Sequence, residues 1–298
     1  SCCGTITIVN REKKLLIILL FNAALMVIEA AGGIFSHSLA LLSDAGHMLT
    51  DSLALLLSYL ALQWSRKPAT IRKTFGYHRF EILAALVNGM VLLGVAGYIV
   101  YEAIVRFFHP VPVNIGVLLA IGSLGLAGNL FGVIILRRES HDNLNVRSAF
   151  LHLVGDTLSS VGVIAGGIVM LITGWSGIDS LIGILIAGII LRSAASLVQE
   201  SSEVLLEATP RDIDLAALRE SVEKIEGIKE FHEIHAWTIT SGRRALSGHI
   251  LTENISTRES QAIICRVREL LREQFSITHT TLEVECERCE ENSCEFIV

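Results

Sequence analysis

The sequence predicts an α-helical membrane protein in two parts: a six-helix transmembrane bundle, then a C-terminal α+β cytoplasmic domain of order αββαβ. Three observations carry this. Of 298 residues, 51% are hydrophobic and 18% charged, with a mean hydropathy of +0.56, which is too apolar for a soluble chain of this length. Six apolar runs are each long enough to cross roughly 30 Å of hydrocarbon at about 1.5 Å per helical residue. From Ala208 onward the charges become dense and the apolar runs shorten, with Thr209-Pro210 at the break. The expected domains are therefore a transmembrane domain over 1–207 and a cytoplasmic domain over 208–298.

The expected spans are Leu15 to Ile34, Leu39 to Trp64, Phe80 to Val105, Val113 to Leu136, Ser148 to Thr173 and Ile178 to Val198. No alternating pattern suggests a closed barrel, the other structure that satisfies backbone polar groups in lipid. Basic residues sort the loops. Arg11, Lys13 and Lys14 precede the first span; Arg66, Lys67, Arg72, Lys73 and Arg79 follow the second; Arg137, Arg138 and Arg147 follow the fourth. These loops are cytoplasmic by the positive-inside rule. The opposite loops are short and hold a single basic residue, Arg106. Six crossings then leave both termini in the cytosol. Gly128-x-x-x-Gly132 and Gly162-x-x-x-Gly166 have the spacing of close helix contact. Pro110 and Pro112 punctuate a loop.

After Pro210 the pattern is helix (Asp212 to Ile225), strand (Lys229 to Thr240), strand (Arg244 to Thr252), helix (Thr257 to Phe275) and strand (Thr280 to Cys286). Gly227 reads as a stop for the first helix, and Ser256 with Glu259 as a capping box for the second. The order suggests a small sandwich with both helices on one face of the sheet.

A formal charge of −6 and a pI near 5.9 lack the basic surplus of a nucleic-acid binder, so no nucleic-acid partner is expected. All six cysteines lie outside the apolar segments: Cys2, Cys3, Cys265, Cys286, Cys289 and Cys294. Their cytosolic placement disfavours disulfides and leaves free thiols or metal ligands. Cys265, among Ile263, Ile264 and Val267, is expected in the core. Cys286-x-x-Cys289 has the spacing of a metal-binding thiolate hairpin, or is a pair of inert thiols. The chain opens at Ser1 rather than Met, so N-terminal sequence is expected to precede it.

Ionisable groups are costly in hydrocarbon, so each one inside a span is a functional candidate. The second span holds Asp44, His47 and Asp51; the fifth holds His152 and Asp156. His47 and Asp51 are four apart, as are His152 and Asp156, which places each pair on one helix face about one turn apart. If the two faces meet, they offer two imidazole nitrogens and two carboxylates. That set suits tetrahedral Zn2+, admits Co2+ or Cd2+, and fits Mg2+ or Ca2+ poorly. Asp44, one turn before His47, orients an imidazole or serves helix packing. The second span of each triplet carries the same motif, His47 to Asp51 then Ser52-Leu53, and His152 to Asp156 then Thr157-Leu158, as an inverted repeat would.

At these residues the chain resembles the cation diffusion facilitator family, the bacterial zinc, cobalt and cadmium efflux proteins and the eukaryotic vesicular zinc transporters. The resemblance rests on His37-Ser38-Leu39-Ala40-Leu41-Leu42-Ser43-Asp44-Ala45-Gly46-His47 running to Asp51 and on Phe75-Gly76-Tyr77-His78-Arg79-Phe80-Glu81. It rests also on His152-x-x-x-Asp156 and on His232-x-x-His235-x-Trp237. It implies a homodimer, a metallochaperone-like cytoplasmic domain for metal binding and dimerisation, and metal export against proton entry. It also implies a cytoplasmic ion at His232, His249 and Glu285 beside the cysteines, and an interfacial position at His78 and His279, which otherwise read as surface or packing histidines. Strand alternation would turn Glu233 and His235 to the other face, as structural residues. Arg79 and Glu81 are expected in salt bridges at the helix ends. The loop between spans four and five has only His141, where vesicular members are histidine-rich; this favours the bacterial branch and an inner-membrane location, while the terminal cysteine pair is reminiscent of vesicular members.

Two carboxylates and two neutral imidazoles balance the charge of Zn2+, so the loaded site is tolerable in a low-dielectric interior, and protons replace the metal on the return. This is Zn2+/H+ exchange by alternating access. An intramembrane zinc hydrolase would need an open coordination position and a base such as H-E-x-x-H, absent here. A sensor would not need ligands mid-membrane, and a closed four-ligand site binds too tightly for channel conduction. The reading is a transporter and no enzyme.

Overall fold

The computed structural model describes residues 21, 23–65, 69–137, 144–240 and 242–287, without the side chains of some helical residues, Asp51 and His152 among them. It divides into two compact units, Ser1–Leu60 with Ala84–Val198, and Ala61–Leu83 with Gln199–Val298.

Among the described residues the first unit is built on six helices: α1 (Ala23–Ser36), α2 (Leu39–Ser65), α3 (Phe80–Phe108), α4 (Ile115–Leu136), α5 (Leu144–Thr173) and α6 (Gly177–Leu205). Within α3 to α6, four stretches are long and apolar enough to cross a membrane: Phe80–Phe108, Ile115–Ile135, Leu153–Thr173 and Gly177–Leu205. Helix α2 has 27 residues, enough length to cross, but Ser43, Asp44, His47, Asp51 and Ser52 interrupt its apolar run. Large apolar side chains such as Tyr98, Phe131, Leu158, Ile172, Leu185 and Ile189 face outward, while Ala40, Ala96, Leu118, Val163, Ala187 and Ala194 pack inside. That distribution suits lipid as solvent, where small residues let helices approach. A methyl group on Gly128 would strike Leu25, and one on Gly132 would lie 2.8 Å from a Leu153 methyl, so these glycines serve close packing. Gly166 faces Ile182 in the same way; Gly162 has open space around it.

The turn from α1 to α2 is held from three sides. His37 adopts φ 56°, and its carbonyl accepts a hydrogen bond from Arg106 of α3 at 2.5 Å. Asn114, the N-cap of α4, donates its backbone N–H to Ser36 O at 2.9 Å. Asp179 of α6 accepts from the Ser38 hydroxyl at 2.5 Å and from the N–H groups of Leu39 and Ala40 at 2.6 and 3.3 Å. A carboxylate on the unpaired N–H groups of a helix start satisfies them and complements the helix dipole.

The C-terminal elements fall close to their expected places: α7 (Leu215–Glu223), β1 (Glu230–Thr240), β2 (Arg243–Leu251), α8 (Thr257–Phe275) and β3 (Ile277–Glu285). Asp214 caps α7, and Gly227 turns at φ 95° after it. At α8 the capping box forms: the Ser256 hydroxyl and N–H both donate to Glu259 at 2.7 and 2.8 Å, holding that carboxyl below its ordinary range. The sheet runs β1-β2-β3, with β1 and β2 antiparallel and β2 and β3 parallel. Leu218 and Val222 of α7 and Ile263, Val267 and Leu271 of α8 pack on Phe231, Ala236, Leu246, Ile250 and Ile277, so both helices cover one face. Each such burial stabilises by about 1.5–3 kcal/mol. Cys265 is exposed, contrary to the expectation of a core position. The buried stripe of α8 runs Ile263, Val267, Leu271, and a residue two beyond Ile263 lies roughly 200° round the helix.

Between His232 and His235 the β1–β2 register slips: His232 pairs His249, His235 pairs Ser247, and Glu233 and Ile234 together oppose Gly248. This β-bulge restarts the alternation, so His235 shares the sheet face of His232 and His249 instead of the opposite one.

Candidate functional site

The Asp179 cap fixes where α2 starts, and hence which of its residues face inward. Asp44 follows Leu39 by five residues and is buried; His47 comes one turn later and is partly exposed. Asp156 of α5 is buried at 1% exposure, and its Oδ1 lies 3.8 Å from His47 Nε2. So one member of each His-x-x-x-Asp pair meets one of the other. Donors of a tetrahedral ion with bonds near 2.0 Å stand roughly 3.3 Å apart, so 3.8 Å is a small adjustment from a shared cation. Asp51 and His152 occupy the expected helical positions, one turn after His47 and one turn before Asp156 along the backbone; their side chains lie outside the described ones.

Further buried groups of unit one surround this contact. Ser159 and Ser160 of α5 lie beside Asp44, and Asn129 of α4 donates to Ser160 Oγ at 3.4 Å. Glu29 of α1 is 1% exposed and makes no hydrogen bond through either carboxylate oxygen; Gly125 of α4 leaves the space it fills. It lies within electrostatic range of Asp44 and Asp156. Glu29 and Asp179 were not among the expected site residues, although as ionisable residues inside expected spans they carry the same signal as Asp51. Desolvated carboxylates beside an imidazole favour a cation.

A second cluster lies on the sheet face away from α7 and α8. His232, His249 and Glu285 offer donor atoms all within 4.8 Å of one another. His249 Nδ1 is 2.6 Å from Glu285 Oε1, and His232 Nε2 is 3.5 Å from Glu285 Oε2. Glu285 Oε2 and His232 Nδ1 are buried and make no hydrogen bond. Two imidazoles around a buried, incompletely satisfied carboxylate fit a transition-metal ion. Cys286 follows directly and is exposed; Cys289, Cys294, Cys2 and Cys3 lie outside the described residues. Glu233, expected on the far face, has its Oε2 3.7 Å from His249 Nε2, because the bulge breaks the alternation that the expectation assumed.

His78 and His279 line one cleft of about 370 Å³ with Phe75, Ile239 and Arg243. Arg243 donates to His78 Nε2 at 3.1 Å, and the Phe75 ring stands edge-on to His279 at 5.7 Å. The two histidines share a cavity, where His78 accepts a hydrogen bond from an arginine and His279 packs against a phenylalanine ring. Arg79 pairs with Glu207 at 2.6 Å, and Glu81 accepts from the Thr240 hydroxyl at 2.5 Å.

Comparisons with known proteins agree along the chain. Residues 15–206 match the family model described as cation efflux transmembrane domain, and residues 210–287 the one described as cation efflux protein, cytoplasmic domain. The cadmium, cobalt and zinc/H(+)-K(+) antiporter of Bacillus subtilis is 42% identical, covering 93% of this chain and 89% of that protein. The metal cation efflux system protein CzcD of Cupriavidus metallidurans is 39% identical over 95% of this chain and 89% of its own length. The zinc transporter ZitB of Escherichia coli is 39% identical over 96% of this chain and 91% of its own. With both of its parts matched and relatives near 40% identity over most of their length, the chain belongs to the cation efflux family of membrane transport proteins.

Proposed function

We propose that this chain is a secondary active transporter that exports Zn2+, with Co2+ and Cd2+ as further substrates, from the cytosol in exchange for H+ by alternating access. The observation that carries the reading is the 3.8 Å contact between His47 and the buried carboxylate of Asp156, which joins the two His-x-x-x-Asp motifs. His47, Asp51, His152 and Asp156 bind the ion as substrate. Their two carboxylates cancel its charge, and protonation of the same groups after release lets the emptied site return. The names of the relatives, with their zinc, cobalt, cadmium and H+, support this substrate class and counter-ion.

The protein works as a homodimer in the bacterial inner membrane, with six spans over 1–207, both termini cytoplasmic, and a cytoplasmic domain over 208–298. Basic loops and bacterial relatives support that placement. His232, His249 and Glu285, with Cys286 and Cys289, hold a resident Zn2+ in the cytoplasmic domain; when bound it supplies a link between β1, β2 and β3. The test is flux in proteoliposomes with a pH-sensitive dye inside. Zn2+ movement with opposite, stoichiometric proton movement is the expected result; Zn2+ flux without proton movement, or binding without flux, would reject it.

A further inference from the structure

Among the described residues, four non-glycine residues have positive φ: His37, Glu207, Glu233 and Ser276. His37, Glu207 and Ser276 sit at helix ends, where chains commonly reverse. Glu233 sits inside β1 at φ 49°, a conformation that residues with a Cβ rarely adopt. Strain of this kind in mid-strand, held by its surroundings, is a mark of a functional position. The surroundings are specific: the bulge sets Glu233 and Ile234 against Gly248, where a Cβ would come within 2.8 Å of the Phe231 ring.

The outcome is that Glu233 Oε2 lies 3.7 Å from His249 Nε2, with Glu283 Oε2 at 3.8 Å on the same nitrogen. The other nitrogen, Nδ1, faces Glu285 at 2.6 Å. Carboxylates thus stand at both ends of the ring. An imidazole that ligates through one nitrogen is commonly oriented by an acceptor on the other.

We propose that Glu233 is a positioning residue of the cytoplasmic metal site: its carboxylate engages the Nε2–H of His249, so that Nδ1 is the nitrogen offered to a cation beside His232 and Glu285. Glu233 is not a ligand in this scheme, and the left-handed backbone at the bulge is what brings its odd-numbered side chain onto the face of even-numbered His232. The inference rests on the reading of His232, His249 and Glu285 as a Zn2+ site.

The experiment titrates Zn2+ into the purified, metal-stripped full chain in detergent against a chromophoric chelator, in an Asp156→Ala background that silences the membrane site. Glu233→Gly keeps the backbone conformation and removes the carboxylate; Glu233→Gln keeps an oxygen acceptor at the same reach. Glu233→Gly is expected to weaken Zn2+ binding about tenfold, and Glu233→Gln to stay within about threefold of its parent. With 15N-labelled histidine, Zn2+ is expected to perturb Nδ1 of His249 in the parent and in Glu233→Gln. Parent-like affinity in Glu233→Gly, when His249→Ala has lost the site, would overturn the positioning role and leave the site intact. Equal loss in the Gly and Gln variants would overturn it in favour of a charged ligand. Parent-like binding in His249→Ala would overturn the site itself.

Discussion

Asp156 carries two burdens: its carboxylate is buried in a helix bundle, and it stands 3.8 Å from an imidazole on another helix. A carboxylate kept there without a cation to meet would be a standing cost of several kcal/mol. Asp156→Ala, like Asp51→Ala, is therefore expected to lower Zn2+ flux in proteoliposomes at least about a hundredfold, on the scale of roughly 1.4 kcal/mol for each tenfold in binding. The folded protein should survive, since deleting a buried charge removes its desolvation cost, and size-exclusion chromatography checks this. Flux at the parent rate would remove both residues from the transport site. His47 sets a different quantity. Imidazole favours Zn2+ over harder ions, so His47→Asp is expected to raise the Mn2+ rate relative to Zn2+, read from competitive uptake. An unchanged selectivity profile would show that His47 is not a ligand.

Helix α2 presents these residues only if its start is held in place, and the group that holds it belongs to α6. Asp179 accepts hydrogen bonds from Ser38, Leu39 and Ala40, which are 139 to 141 residues away. Asp179→Ala leaves buried N–H groups unsatisfied, and a loss of about 1–3 kcal/mol of stability is expected. Asn at 179 keeps an acceptor, so it should recover part of the thermal midpoint in detergent; equal midpoints for Ala and parent would deny the cap. The helix and strand positions were legible in the sequence because apolar length, the Ser256–Glu259 box and Gly227 are local signals. The two His-x-x-x-Asp motifs stand out in the sequence because a motif costly in hydrocarbon is repeated. The capping role of Asp179 was not legible, since its partners are distant in sequence, and Glu29, though ionisable inside an expected span, reads as an isolated polar residue until Gly125 is seen to make room for it. Glu233 escaped for a different reason: alternation is a rule for regular strands, and nothing in Phe231-His232-Glu233-Ile234-His235 marks the bulge that suspends it.

At the scale of the whole molecule, the two clusters proposed to bind metal occupy two compact units, and this separation argues for a division of labour. An ion at His232, His249 and Glu285 lies beyond Ala208, outside every apolar run, so holding it there moves nothing across the bilayer. Thiolates from Cys286 and Cys289 would make that ion tightly held and slow to leave, which suits a sensor of cytosolic zinc better than a step of turnover. Coupling then requires only that the cytoplasmic domain bind Zn2+ with different affinity in the two access states, because a ligand shifts an equilibrium by its differential affinity and by nothing else. A coupling of about 1–3 kcal/mol corresponds to roughly 5- to 150-fold. The double variant Cys286→Ser, Cys289→Ser should accordingly shift the zinc dependence of transport to higher concentration or change its maximal rate, while proton-coupled flux remains measurable in the same proteoliposomes. Counting Zn2+ per chain in the purified protein separates the causes. A variant that binds as many ions as its parent would show that the cysteines are not ligands. One that has lost an ion yet transports with the parent's rate and zinc dependence would show that the cytoplasmic ion braces the domain without regulating the carrier.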